Sequence, residues 1–218
     1  MKIGSIIGLI GLCLCWGCKK EVDMGIGAYR VDWVKVVSDG VFSLLDQQET
    51  RLYDTGATTT KDLKAGDRVI LNYAFTDERT NGQSSGFERN IRVNSVYPVL
   101  CGELKILTPP QTVDDLKNDP IVFESVWMGR NYLNISFYID TGNRQHTVGL
   151  IKSPSPYPGD TDALYLLFRH DKNGDSDGYR KKVYASFDLS KLDGGIPKRI
   201  ILNINPSNYR NQDIVVSQ

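Results

Sequence analysis

Histidine, cysteine, net charge and long apolar runs are all scarce in this chain, and each scarcity excludes something. Only two of the 218 residues are histidine, His146 and His170. Neither has a second His or Cys at ligand spacing, so a zinc centre is not expected. Lys and Arg together number 26, and Asp and Glu also number 26. A chain with no basic excess has nothing to steer it onto nucleic acid or acidic lipid. No internal repeat and no sustained helical period appears, which argues against bundles and solenoids. One long apolar run exists, at residues 3–16. A bilayer-spanning helix takes about 20 residues, so this run is too short to cross.

What stands at the N-terminus is instead the layout of a bacterial lipoprotein signal. Met1-Lys2 supplies a positive charge, 3–16 is apolar apart from Gly and Ser5, and Gly17-Cys18 stands directly before Lys19-Lys20-Glu21. Secretory signals have this order: basic start, apolar middle, small residue at the cut. The expectation is a signal peptide over 1–17 and lipidation of the Cys18 thiol. Gly17 fits the usual lipobox; Cys15 and bulky Trp16 depart from it, and Cys15 and Cys13, each after a Leu, are alternative sites. Each buried lipid methylene contributes about 0.8 kcal/mol, and stable attachment needs more than one chain. The expected location is the cell envelope, lipid-anchored at the outer membrane and facing the periplasm or the surface. Removing 1–17 takes away Lys2 alone, leaving 25 basic against 26 acidic residues and a net charge of −1. With Cys18 lipidated, Cys101 has no disulfide partner, and with no His beside it in sequence it reads as a buried, inert thiol.

Residues 18–27 are polar and Gly-rich and read as a lipidated tether. From 28 to 108 the strand signals are 29–37, 42–45, 50–53, the alternating 69–75, 87–97 and 99–107. Five or so strands with polar connections predict a small barrel. Pro109-Pro110 cannot continue a central strand, so the boundary is placed there. Thr112 with Asp115 resembles a capping box and predicts a short helix through Lys117. Residues 112–218 carry about seven strand signals: 121–127, 132–139, 145–152, 163–170, 179–189, 198–205 and 213–216. Segments 163–170 and 179–189 flank the polar loop 171–178 and read as a hairpin. The spacing predicts a β-sandwich.

Gly82-Gln83-Ser84-Ser85-Gly86 matches the serine-hydrolase string, but that string works only on a strand-to-helix elbow. A strand signal follows it here, so it reads as a loop. Asp171, Asn173, Asp175 and Asp177 form the one oxygen-rich cluster, a weak calcium candidate. Position twelve of the calcium-loop pattern is Tyr184 rather than Glu, so the hairpin-loop reading is preferred. Tyr29, Trp33, Tyr73, Phe75 and Tyr97 lie on barrel strands and invite a stacking platform, although strand aromatics usually fill cores. No catalytic residue, resident metal or cofactor is expected.

Taken together, these pieces resemble the NigD-like lipoproteins of Bacteroidetes. The carriers are Gly66-Asp67-Arg68-Val69 leading into Leu71-Asn72-Tyr73, then Ile91-Arg92-Val93. In the second half they are 162–170 with Asn173-Gly174-Asp175, then Phe187-Asp188-Leu189 and 200–204. The resemblance implies an all-β protein, an N-terminal OB-like small barrel followed by a C-terminal β-sandwich, and carries no catalytic residues with it. The expectation is a non-enzymatic envelope binding or interaction module, bacteriocin-associated by the family's name. Its partners would be the membrane, through the N-terminal lipid, and envelope proteins or glycans, not nucleic acid. The alternatives are a carbohydrate-binding surface lipoprotein, with Tyr132, Tyr138, Tyr157 and Tyr165 in one exposed row, and an envelope hydrolase.

Overall fold

The computed structural model describes residues 28–56, 62–76 and 88–217. The expected signal, tether and lipidation site at Cys18 lie outside the described residues, as does Ser84. No helix among the described residues is long and apolar enough to cross a membrane.

Five strands close a barrel: β1 (Tyr29–Ser38), β2 (Val41–Ser43), β3 (Arg51–Asp54), β4 (Arg68–Phe75) and β5 (Glu88–Pro98). Their order is β1-β2-β3-β5-β4, with β3 and β5 parallel and the other pairs antiparallel. Two-residue periodicity sends Val69, Leu71, Tyr73 and Phe75 inward, where they meet Val34, Phe42, Leu52 and Ile91. Tyr73 is fully buried, yet its hydroxyl is satisfied by donating to Asp32 Oδ2 at 2.8 Å.

The rest of the chain forms one eight-stranded sheet folded into a sandwich. Its strands are β6 (Leu100–Ile106), β7 (Val122–Gly129), β8 (Tyr132–Thr141), β9 (Thr147–Lys152), β10 (Leu164–Asp171), β11 (Tyr179–Asp188), β12 (Arg199–Asn203) and β13 (Asp213–Ser217). The order is β13-β12-β10-β9-β6-β11-β8-β7. β6 joins the two halves: residues 100–103 pair parallel with β11, and residues 104–106 pair parallel with β9. Leu133, Ile135, Phe137, Leu166, Phe168, Phe187 and Ile200 fill the space between the halves. The segment after β12 then returns to β7. Asn208 Oδ1 accepts the Phe123 N–H at 2.8 Å and its Nδ2 donates to Phe123 O at 2.8 Å, so one side chain does a strand's pairing and the sheet nearly closes.

Three local expectations are corrected. Segment 99–107 was expected to close the barrel; the barrel ends with β5 at Pro98, and β6 belongs to the sandwich. Segments 163–170 and 179–189 are not a hairpin. β10 pairs with β9 and β12 while β11 pairs with β8 and β6, so loop 171–178 crosses from one half to the other. The expected helix is only a 3-10 turn, Val113–Asp115, although the capping box is present: the Thr112 N–H donates to Asp115 Oδ2 at 2.8 Å.

The barrel docks on the outer face of the β7-β8-β11 half. Trp33 meets Trp127 and Tyr184 edge-to-face, with centroids 5.0 and 5.6 Å apart. The guanidinium of Arg68 lies 4.3 Å from the Tyr132 ring centroid and donates to Ser186 Oγ at 3.4 Å. This covering is why Asn134, Ser136 and Ser186, on outward positions of β8 and β11, are buried.

Candidate functional site

Crossover loop 171–178 brings the two histidines and Asp175 together. In the antiparallel β9–β10 pair His170 lies opposite Val148, and His146 stands two residues before Val148, on the same face. His146 Nδ1 lies 2.9 Å from His170 Nε2, and His146 Nε2 lies 3.1 Å from Asp175 Oδ2. The side chains of His146 and Asp175 are 5% and 3% exposed, so little of this row meets water. His170 Nδ1 faces the carbonyl of Asp119 at 3.2 Å and must donate to it. Burial pushes the His170 pKa down, and the neighbouring His146 adds to the shift, so His170 is the neutral ring and its Nε2 accepts. His146 stands between the other two, one ring nitrogen toward His170 and the other toward the Asp175 carboxylate.

Asp175 also organises the β8–β9 turn. Its carboxylate accepts the Thr141 hydroxyl at 3.0 Å, the Gly142 N–H at 2.7 Å and the Asn143 N–H at 3.1 Å. Burial alone would raise its pKa; these donors more than offset that and hold the carboxyl well below the usual carboxylate range. The loop lies so close to β8 that a Cβ at Gly178 would sit 2.5 Å from Thr141 O, which only glycine tolerates.

In front of this row, a half-open cleft of about 580 Å³ enters the sandwich. Its floor is apolar: Phe137, Ile139, Val148 and Val183. Its ionisable lining, apart from tyrosines, is entirely basic: Arg144, His146, His170, Lys181 and Lys182. Lys182 turns its ammonium to the outer face and pairs with Glu124 at 2.7 Å. Arg144 donates to the Asn173 carbonyl at 3.0 Å. Lys181 makes no ion pair with the described residues. The cleft exists because β6 pairs with too little of its neighbours. Residues 179–184 of β11 are paired on the β8 side only, and residues 147–149 of β9 on the β10 side only.

The four calcium candidates do not share a centre. Asp171 Oδ1 accepts the Asn173 N–H at 2.7 Å, Asp177 pairs with Lys172 at 3.6 Å, Asn173 gives its carbonyl to Arg144, and Asp175 faces inward. Among the described residues no group of three or more His, Cys, Asp or Glu is placed to hold a metal ion. Of the barrel aromatics, Tyr73 and Phe75 are inside, Trp33 is in the interface, and only Tyr29 and Tyr97 are strongly exposed. The four sandwich tyrosines do not make one row: Tyr132 lies under Arg68, Tyr138 beside Lys182, and Tyr157 packs edge-to-face on Tyr165 at 5.2 Å. Cys101 is exposed rather than buried as expected. Its sulfur nonetheless accepts the Arg68 N–H at 3.2 Å, and partial burial pushes the thiol pKa up, away from reactivity.

Residues 104–217, just over half of the chain, match the family model of the NigD-like C-terminal beta sandwich domain. The chain belongs to the NigD-like family. No curated protein matches it. Among solved structures, a protein of unknown function from Bacteroides vulgatus is similar with a TM-score of 0.71 and 23% identity, over 88% of this chain and 91% of that one. A NigD-like immunity protein from Bacteroides caccae is similar with a TM-score of 0.61 and 24% identity, over 85% of this chain and 90% of that one. At these identities the likeness is one of fold, and it spans both barrel and sandwich. In this chain the matched domain is the eight-stranded sheet in which β6 links the two halves.

Sequence reasoning placed His146 and His170 separately on strands and missed their meeting with Asp175. The signal was faint: it needed the β9–β10 pairing, whose register sets the two rings on one face. It also missed Lys181 and Arg144 as the cleft's cationic rim, because charged strand ends usually point to open water.

Proposed function

We propose that this NigD-like chain is an envelope protein moored by lipid at Cys18, and that it works by recognising a partner rather than by transforming a substrate. The observation that carries the reading is the N-terminal order of Lys2, the apolar run 3–16, Gly17-Cys18 and the charged 19–21, attached to a two-part β scaffold. Loops and strand edges on such a scaffold present contact surfaces held in place by the packed core. The buried Asp175–His146–His170 row supports a structural use of the titratable groups, since its polar atoms point at one another and at backbone. A fold neighbour described as a NigD-like immunity protein favours a protein partner, and the bacteriocin association implied by the family's name is the narrower form of that reading. Lipid attachment is expected to place the protein at the outer membrane. Radiolabelled palmitate should enter the wild-type protein and not Cys18→Ala, and the variant should leave the membrane fraction. A wild-type protein that takes up no palmitate overturns the anchor; equal labelling of both, or a variant that stays just as firmly bound, removes Cys18 as its site. Transfer of labelling to Cys15 would move the attachment site without ending the reading.

A further inference from the structure

The sandwich carries an unfilled strand position, and we propose that the cleft there takes an extended peptide segment of a partner, with apolar side chains directed to the floor and acidic ones to the rim. The inference rests on the recognition role proposed above and names its partner chemistry. Three observations converge on it.

First, backbone is available. Residues 179–184 of β11 and 147–149 of β9 each lack a strand on the side facing the cleft, and β6 begins its pairings only at Ala185 and Leu150. Edge N–H and C=O groups are a template for an added strand, and strand addition is a recurring mode of peptide recognition. A fatty chain cannot satisfy these groups; a peptide can.

Second, the floor suits alternate side chains. Phe137, Ile139, Val148 and Val183 belong to the sandwich interior but border the opening. At its mouth stand Leu100 and Tyr179, 45% and 63% exposed, which gives the entrance apolar surface as well. A strand laid along β11 would point every second side chain at this floor.

Third, the charge is one-sided in a chain whose basic and acidic residues balance. No Asp or Glu lines the cleft, while Arg144 and Lys181 stand at its rim and His146 behind. The nearest acids are already engaged: Asp175 with His146, Asp140 with Arg180 at 2.9 Å, Asp177 with Lys172 and Glu124 with Lys182. Such a rim favours acidic partners and disfavours basic ones.

The test pans a phage-displayed library of random peptides, each about twelve residues long, a length that spans one strand with flanks, against the full-length protein. The expected selectants alternate apolar residues with positions rich in Asp and Glu. They should slow amide exchange along residues 179–184. Lys181→Glu combined with Arg144→Glu should weaken them by about tenfold or more, while Lys191→Glu, beyond the far end of β11, should not. The double variant must keep the wild-type melting temperature, and if it does not, Lys181→Glu alone serves. No enrichment, enrichment of basic peptides, or protection elsewhere on the molecule overturns the proposal. So does decanoate reproducing the shifts of Ile139, Val148 and Val183 methyl resonances when no peptide does, because the occupant is then a lipid. Retained palmitate labelling alongside any of these failures removes the cleft assignment and leaves the anchored recognition protein standing.

Discussion

Arg68 is a charge placed where charges rarely go. It is 4% exposed and makes no ion pair with the described residues, and burial pushes its pKa down. Its compensation is the Tyr132 face at 4.3 Å, the Trp33 ring at 5.9 Å, a hydrogen bond to Val34 O at 3.3 Å and the Ser186 hydroxyl. Aromatic faces attract a cation more strongly once water is gone, and the side-chain stem fills volume that a smaller residue would leave empty. Arg68→Ala is therefore expected to cost about 2–4 kcal/mol, as emptying a large buried site does. Arg68→Met keeps most of the volume and removes the desolvated charge, so its cost should stay below about 1.5 kcal/mol. Urea unfolding of both variants separates the two terms; equal losses would mean that the charge, not the volume, matters. Gly102 makes the opposite demand. A Cβ there would lie 2.8 Å from Phe187 Cε1, against the ring that fills the core beneath β6. Gly102→Ala should cost about 1–3 kcal/mol by overpacking, and a variant as stable as wild type would show that β6 can shift outward without loss.

At the scale of elements, loop 171–178 is where acid should act first. The His170 pKa is lowered, so protonation favours the unfolded chain, and stability should begin to fall as pH drops below the ordinary imidazole value of about 6.5. The Asp175 pKa is lowered too, which makes its contribution fully present above the ordinary carboxyl value of about 4 and lost as pH falls further. Both shifts have the same sign, so acid titration should loosen the loop in two stages. Asp175→Asn should remove the second stage, lower the melting temperature at neutral pH, and speed exchange at the Gly142 and Asn143 amides that Asp175 holds. Unchanged exchange there would show that the turn stands without its carboxylate. The same loop marks where sequence pattern stopped being informative. Alternation over 132–139 and 69–75 gave β8 and β4 their strands and inward faces, because period two is a local property. The partners of β10 and β11 are non-local, and two strands flanking a polar loop look like a hairpin whether or not they pair. Polarity at outward positions is no guide to exposure either. Arg68 on the barrel and Asn134, Ser136 and Ser186 on the sandwich carry the polarity of a wet face but are buried where the two parts meet, and there Ser186 donates to Asn134 Oδ1 at 2.8 Å.

At the scale of the molecule, the question is whether barrel and sandwich unfold as one. The all-β architecture was legible, since about a dozen short strand signals with no helical period leave few alternatives, and the family showed through the resemblance of motifs such as Gly66-Asp67-Arg68-Val69. The docking of one part on the other was not, because its residues are scattered: Trp33 and Arg68 on the barrel, Trp127, Tyr132, Tyr184 and Ser186 on the sandwich. The contact combines edge-to-face rings with the Arg68 hydrogen bond, plus one exposed ion pair, Arg130–Glu49 at 2.7 Å. That ion pair is worth at most about 1 kcal/mol. The Trp33–Trp127 pair should carry more specificity, with a coupling of about 0.5–1.5 kcal/mol in a double-mutant cycle. Because β5 runs into β6 across the single residue Val99, the two parts share a rigid corner as well as a surface. The wild-type protein is therefore expected to unfold in one transition, followed alike by tryptophan fluorescence and by far-ultraviolet dichroism. Trp33→Ala should split it, since the barrel loses its main foothold while each core, inward-facing and separate, stays filled. Two coincident curves in that variant would mean that the β5–β6 corner alone couples the parts, and noncoincident curves in the wild type would mean that the docked surface contributes too little to couple them at all.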